Sequence, residues 1–393
     1  MSSDYQTYCS HILKHLTETN FTGFDPYDGL NTRIRLLHRN QALRLLAVYV
    51  NKFSPLNLRT VLKVTPSRQL MTLCTAANAI MLLDDLVDPG QRKALFDEIW
   101  QVMVNTSLKD KYGHHCWDAH GFPIQMRGRY THGDVASVVG NQIFGEFLIN
   151  YHKMTGDPLA REYALDLRDL FMSRFYCEKE GAAFFRYKSE HPDTHFTLNA
   201  STRAARYLMQ LSELTGNHDL DNEIRKVIEL VVRLQKEDGR WNYTHHFDSG
   251  RQKKQVDYHQ GFILDDLLLY METYGRDNGV LQAYEKGLRF YRNKQFLVNG
   301  QGRYRYPRTW PANIHNQAQG IVTFANASTL DPAHLDFATV IADWTVRNMY
   351  DTENNYFYYL KYPFFKNKIR YARWSDANML QAMATLVHKP DTN

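Results

Sequence analysis

Three stretches of the chain, YHKMTGDPLAREYA, LSELTGNHDLDNEI and YMETYGRDNGVLQAY, each close one helix on Thr-Gly or Tyr-Gly and open another a few residues later. The glycines are Gly156, Gly216 and Gly275, spaced by 60 and 59 residues. Glycine there supplies the left-handed conformation that ends a helix, and Asp157 or Asn217 can begin the next cap. A fourth stretch, ANASTLDPAHLDFA, keeps the place with Ser-Thr instead of glycine. A period near 60 with two helices per unit marks a repeat architecture, in which each unit buries its apolar face against the next. Helical periodicity runs through the rest of the chain and long strand-like alternation is nearly absent. It predicts helices near 3–19, 32–50, 68–86, 90–107, 133–155, 157–176, 198–215, 218–236, 258–275, 279–297, 315–328, 332–350 and 374–388.

Each hairpin is followed by a long aromatic connection: GAAFFRYKSEH, GRWNYTHHF, GRYRYPRTW and NYFYYLKYPFFKNKIRYARW, with HHCWDAHGFPIQMRGRYTH in the same place of a more degenerate first unit. About six pairs closing on themselves, with helix 374–388 meeting the N-terminal helices, make an all-α fold, an α/α toroid, as one domain over 1–393. Every inner helix then starts on one face, and the aromatic connections gather around one cavity. The alternative is an open α-solenoid for protein binding, but solenoid turns are short and polar, whereas these carry Trp, Tyr, His and Arg together.

Composition narrows the function. The hydrophobic share of 44% is ample for a large core, and 25 Tyr, 21 Phe and 6 Trp exceed what packing needs. The net charge of +5 is mild, and the positives are scattered apart from Lys253-Lys254 and the stretch from Lys366 to Arg373. Nucleic acid is therefore not expected as a partner; a basic, aromatic cleft for an acidic small molecule or polymer fits better. Cys9, Cys74, Cys116 and Cys177 form no CxxC pair, so neither a disulfide framework nor a thiolate zinc site is expected. The apolar run near AIMLLDDLV is broken by Asp84 and Asp85, too short for an integral membrane segment. With no secretory leader in MSSDYQTYCSH, a cytoplasmic protein is expected. Phosphate-binding loops, dinucleotide fingerprints and serine elbows are absent, and no cofactor or metal is expected.

Candidate chemistry clusters at the starts of inner helices. In VDYHQGFILDDLLLY, Asp257 is a good N-cap, and Tyr258 and His259 stand at the positive end of the helix dipole, which lowers the pKa of both and favours their base forms. Asp265 and Asp266 follow about two turns on. In RYPRTWPANIHNQAQG, His315, Asn316, Gln317 and Gln319 open the next inner helix, preceded by Tyr306, Trp310 and the arginines Arg303, Arg305 and Arg308; an arginine fork grips a carboxylate. In KIRYARWSDANML, Arg370, Arg373, Trp374 and Asp376 mark another helix start, with Trp374 either a sugar platform or a packing residue. In TGFDPYDGLNTRIR, turn chemistry explains Pro26 and Gly29 but leaves Tyr27 and Asp28 as rim candidates. LQKEDGRWNYTHHF places Gln235, Asp238, Gly239 and Trp241 in a Q-x-x-D-G-x-W turn that ties repeats, followed by Tyr243, His245 and His246. A metal held by His245, His246 and His259 lacks ligand spacing.

At these residues the chain resembles known proteins. GFDPYDGLN, VDYHQGFILDDLL, NIHNQAQGIVTF and YARWSDANMLQAMATL resemble the uncharacterised α/α-toroid proteins encoded in bacterial polysaccharide-synthesis clusters. DYHQGFILDDLLLY with YEKGLRFYRNKQF is similar, over some 40 residues, to the catalytic domain of glucuronyl carbon-5 epimerases. The Q-x-x-D-G-x-W turn is similar to those of terpene-cyclase toroids, without their acidic proton-donor motif. The resemblance implies a carbohydrate-active enzyme working on an acidic oligo- or polysaccharide or a lipid-linked glycan.

The residues suit uronate chemistry, an epimerase or lyase. Tyr258 and His259 are the expected base and acid, with His315 and Tyr306 as reserves. Arg303, Arg308, Asn316 and Gln317 would hold the carboxylate, and Trp241, Trp310 and Trp374 would stack sugar rings. Asp257, Tyr243, His246, Arg373, Asp376, Tyr27 and Asp28 complete the expected substrate site. Two rivals stay open: a glycoside hydrolase using two of Asp257, Asp265, Asp376 and Asp28, and a non-catalytic glycan-binding or assembly protein.

Overall fold

The computed structural model describes residues 2–126, 129–192 and 194–389. Arg127 and Gly128 of the first aromatic connection lie outside them. The described residues hold fourteen α-helices: α1 (Ser2–Glu18), α2 (Gln41–Phe53), α3 (Leu70–Ile80), α4 (Pro89–Thr106), α5 (Lys109–Tyr112), α6 (Val138–Thr155), α7 (Pro158–Leu170), α8 (Leu198–Thr215), α9 (Asp221–Arg233), α10 (His259–Tyr274), α11 (Asn278–Phe290), α12 (Ile314–Ala327), α13 (Ala333–Met349) and α14 (Asn378–His388).

Six of them close a ring. α3 packs on α6, α6 on α8, α8 on α10, α10 on α12, α12 on α14, and α14 returns to α3. Outside each lies a second helix: α4 on α3, α7 on α6, α9 on α8, α11 on α10, α13 on α12 and α1 on α14. The N-terminal helix thus completes the last pair. The two layers differ in pattern for a physical reason. Outer α9 buries one stripe, Ile224, Val227, Ile228 and Val231, the period of a helix with one wet face. Inner α8 touches neighbours on both flanks and a partner behind, so it is buried nearly all round, with Ala200, Ala204 and Ala205 allowing close approach. At Gly145 of α6 even a methyl group would meet the Tyr207 ring at 2.2 Å, so the α6–α8 contact requires glycine.

The repeat punctuation works as its chemistry dictates at two of three positions. Gly156 and Gly216 are left-handed, with φ of 73° and 67°, and their N–H groups donate to His152 O and Ser212 O at 2.8 Å. Gly275, at φ 89° and ψ 166°, leaves the helix extended instead. Asp157 caps α7 by accepting from Leu159 N at 2.8 Å, whereas Asn217 only makes a turn onto Asp219 N, four residues before α9 begins.

Two expectations change. The helix expected over 32–50 is a 3₁₀ turn, Arg35–His38, followed by α2, with another 3₁₀ turn, Asp28–Leu30, just before it. α2 packs on those turns and on the strand Ile124–Met126, and takes no place in the ring. The connections also hold short strands: His195–Thr197, Thr244–His246 and Gln252–Lys253 form one antiparallel sheet, and Ala312–Asn313, Leu360–Lys361 and Lys366–Asn367 another. These sheets stitch successive connections into a rim above the inner-helix N-termini.

Candidate active site

A cavity of about 580 Å³ runs along the ring axis. Its mouth is made by the connections, with Tyr27, His120, Tyr187, Tyr243, Lys253 and Arg305 reaching it. The inner helices supply the wall, from Tyr258, His259 and His315 near the mouth to Asn326 and His388 at the far end.

The centre of the mouth is a stack of rings. Tyr258 lies between His259, at 4.2 Å and 27°, and His315, at 4.0 Å and 20°. Trp374 stands edge-on to His315 at 4.7 Å, and Tyr243 edge-on to His259 at 4.6 Å. Residues from three connections and the helix starts that follow them thus meet at one point.

Beneath this stack, Asp257 is fully buried and its Oδ1 takes the His259 Nδ1 hydrogen. Its Oδ2 accepts from Gln255 Nε2 at 2.9 Å and lies 3.5 Å from Arg305 Nε. Burial works to raise the Asp257 pKa, but His259 and Arg305 outweigh it and the carboxyl is held below its usual value. An ionised Asp257 fixes the His259 tautomer with the proton on Nδ1, leaving Nε2 as the basic nitrogen toward the cavity. Asp257 Oδ1 also accepts from His259 N, the first residue of α10, at 3.3 Å, and Asn316 Oδ1 accepts from Tyr258 N at 2.9 Å.

The dipole expectation for Tyr258 is reversed. Burial among other tyrosines and near Asp257 raises its pKa well above the usual value, because desolvation of a phenolate outweighs a half-charge at the helix end. Tyr258 is a neutral phenol able to donate. His315 is held at about 3 by burial and by the charges of Arg373 and His259, so it stays uncharged. Its Nδ1 and the Trp374 indole nitrogen are buried without a hydrogen-bond partner.

Arg373 also lines the mouth, giving Nε and Nη2 to Asp25 Oδ2 at 2.9 and 2.7 Å. Tyr27 receives the Lys52 ammonium on its hydroxyl. Deeper, Asp265 accepts from Gln319 Nε2 at 2.7 Å, and burial raises its pKa to about 6. Asp266 is buried behind the cavity-lining Arg203 and Arg206, at 3.4 and 3.8 Å. Among the described residues no group of three or more His, Cys, Asp or Glu is placed to hold a metal.

A closed ring of six inner and six outer helices with the cavity at the inner N-termini decides the architecture. The fold is an α/α toroid. Solved structures agree. The cellobiose 2-epimerase of Spirochaeta thermophila superposes with a TM-score of 0.60 at 14% identity, covering 82% of this chain and 88% of its own. A family 76 α-mannanase of Bacteroides thetaiotaomicron gives 0.63 at 13%, covering 81% and 85%. The unsaturated glucuronyl hydrolase of Bacillus sp. GL1, which degrades glycosaminoglycan, gives 0.63 at 14%, covering 98% and 96%. The sequence matches no family model and no curated protein.

Seven of the expected residues line the toroid's cavity: Tyr27, Tyr243, Tyr258, His259, His315, Arg373 and Trp374. Asp257 supports one of them from below. The others are turned elsewhere. Gln317 is buried, bridging Gly300 O, Thr345 Oγ1 and Gly302 N, and Asn316 is spent on Tyr258 N and the carbonyls of Arg303 and Tyr304. Inner-helix amides here stitch loops, not ligands.

Trp241 is fully buried, its indole N–H donating to Val231 O at 2.9 Å; with Gln235 bonded to Gly239 O and Ala283 O, it braces α9 and α11. Tyr306 packs edge-on against Phe290 of α11, and Trp310 packs on the core, both off the cavity. His246 faces His195 at 4.1 Å. Asp28 and Asp376 are buried partners of Arg59 and Arg370, both outside the cavity wall.

Among the three arginines of RYRYPR, Arg303 is tied to Lys294 O and Thr309 Oγ1 and Arg308 to Trp310 O, so only Arg305 reaches the cavity. His120, Tyr187, Lys253 and Gln255 were not among the expected site residues, nor were Arg203 and Arg206. The last two carried a readable signal: two arginines a turn apart in the small-residue run NASTRAAR.

Proposed function

We propose that the chain is a carbohydrate-active epimerase acting on a uronate-containing glycan. The observation that carries this reading is the Asp257–His259 pair under the stacked Tyr258. An oriented imidazole with a buried carboxylate behind it is a general base, and a phenol beside it with a raised pKa stays neutral and donates a hydrogen bond. In the proposed reaction His259 Nε2 takes the carbon-5 proton, and the electron pair passes into the adjacent carboxylate as an enediolate. Arg305, with Lys253 beside the mouth, meets that developing charge. Reprotonation of carbon 5 on the opposite face, from across the cavity, gives inversion, while Tyr258 donates a hydrogen bond to the enediolate, and no redox partner is needed. Loss of the carbon-4 substituent from the same intermediate would give a lyase.

A second reading has its own support. Two superposed toroids are a cellobiose 2-epimerase and a D-mannose isomerase; epimerisation at carbon 2 of an aldose, as chemistry, begins with removal of a proton beside a carbonyl. The same base would serve. The cations at this mouth favour the acidic substrate.

The hydrolase reading has less to stand on, since Asp28 and Asp376 are locked in ion pairs away from the cavity. Incubation of uronate-containing oligosaccharides in deuterated buffer is the test. Deuterium at carbon 5 without a new double bond supports the proposal, and label at carbon 2 selects the second reading. New ultraviolet absorbance indicates a lyase. Reducing ends without absorbance or label, or binding without turnover, overturn the epimerase.

A further inference from the structure

The net charge of the whole chain hides how its charges are distributed. Between Asp28 and Asp84 there is no Asp or Glu, while eight Lys and Arg occur; between Glu353 and Asp376 there is again none, with five. These two acid-free runs meet in the fold. Asn367 Nδ2 donates to Ser54 O at 2.9 Å and Tyr371 Oη to Asn51 O at 3.5 Å, setting the 360–367 hairpin against the C-terminal end of α2.

The same two elements carry exposed apolar side chains. At the hairpin tip Phe364 is 99% exposed, with Phe365 beside it stacked on Tyr362 at 4.2 Å. α2 buries Ala47, Val48, Asn51 and Lys52 but turns Leu46, Tyr49 and Phe53 to solvent. Leu56 and Val61 follow at 68% and 74% exposure. Arg33, Arg35, Arg39 and Lys63, in the same acid-free run as α2, are exposed, and Lys368 after the hairpin is exposed and paired with Asp351 at 3.4 Å.

We infer that this face docks the protein on an anionic membrane surface. Apolar area without matching shape or charged partners is costly in water. Phenyl and aliphatic groups on a protruding tip, in two chain segments that carry Lys and Arg but no Asp or Glu, match an interface whose upper layer is negative and whose lower layer is apolar. Nucleic acid would repay the cations but not Leu46, Leu56, Val61 and Phe364. Association is peripheral, since no helix among the described residues is long and apolar enough to cross a bilayer. The face also borders the cavity mouth: Lys52 of α2 donates to Tyr27, and Arg44 Nε donates to Gln125 Oε1 at 2.8 Å beside the cavity-lining Ile124 and Met126. The inference stands whatever the cavity acts on.

The test is co-sedimentation of the full chain with vesicles of phosphatidylcholine alone and of phosphatidylcholine with phosphatidylglycerol. Pelleting with the anionic vesicles only, reversed by high salt, is expected. The Phe53→Ser/Phe364→Ser variant, changed at two exposed positions, should bind the anionic vesicles about tenfold or more weakly. The inference is overturned if the chain stays in the supernatant, pellets equally with neutral vesicles, or binds unchanged in the variant. It is also overturned if sedimentation velocity shows the patch pairing two copies of the chain, with the variant monomeric and vesicle binding absent.

Discussion

Two inner helices open on nearly the same chemistry. Asp257-Tyr258-His259 precedes α10, and Arg373-Trp374-Ser375-Asp376 precedes α14. In both, an aspartate and an aromatic ring sit at the helix mouth, yet the aspartates do opposite work. Asp257 lies under a histidine that reaches the cavity. Asp376 lies on the far side of its helix, buried against Arg370 at 3.0 Å. The backbone differs between them: α10 starts directly at His259, whereas a π-turn over Ala372–Ala377 precedes α14 and changes the angular phase of those side chains. Composition at a helix start therefore names the candidates, and the winding of that first turn chooses among them.

The largest expected effect falls on the α10 side. His259→Gln should lower turnover about 10²- to 10⁴-fold with the fold intact, and Asp257→Asn should approach it while shifting the pH profile, because the amide no longer fixes the imidazole tautomer. On the α14 side, Asp376→Ala should cost about 3 kcal/mol of stability in urea unfolding, since it strands a mostly buried arginine, while the folded fraction keeps its turnover. Lost turnover in Asp376→Ala without lost stability would erase the distinction.

A smaller contrast lies within one loop. Arg305→Ala should raise KM for an acidic substrate about tenfold, whereas Arg303→Ala, whose donors are tied to Lys294 O and Thr309 Oγ1, should leave KM unchanged.

The smallest effect is in pH. Burial raises the folded pKa of Asp376 to about 6 against the pull of Arg370. Its contribution is full below about pH 4 and is lost as the pH rises to about 6. The Asp257 pKa is depressed, so its contribution is present above about pH 4 and is lost as the pH falls. Removing each should tilt the stability–pH curve in opposite senses over this range, read by unfolding at several pH values.

Much of this molecule is legible in its sequence because its local signals agree. The glycine-closed hairpins name the pairs, and the one-stripe pattern of α9 against the all-round burial of α8 separates outer from inner layers. The segment 32–50 misleads because α2 carries apolar residues on two faces, which reads as a core helix although one face is wet. Asn316 and Gln317 mislead because an amide suits a sugar hydroxyl and a backbone carbonyl equally. The basic face escapes notice because carboxylates elsewhere in the chain offset its charge in the total.

What the sequence by itself determined is the ring of helical pairs and the gathering of aromatic connections at one end of it, since helix periodicity and helix-ending glycines act over a few residues. Which adjacent side chain faces the cavity was decided only in three dimensions. Asp25 with Arg373, Asn316 with Tyr258 N, and Asn367 with Ser54 O set the phase and tilt of each connection. Those partners lie 58 to 348 residues apart, beyond the reach of any local pattern.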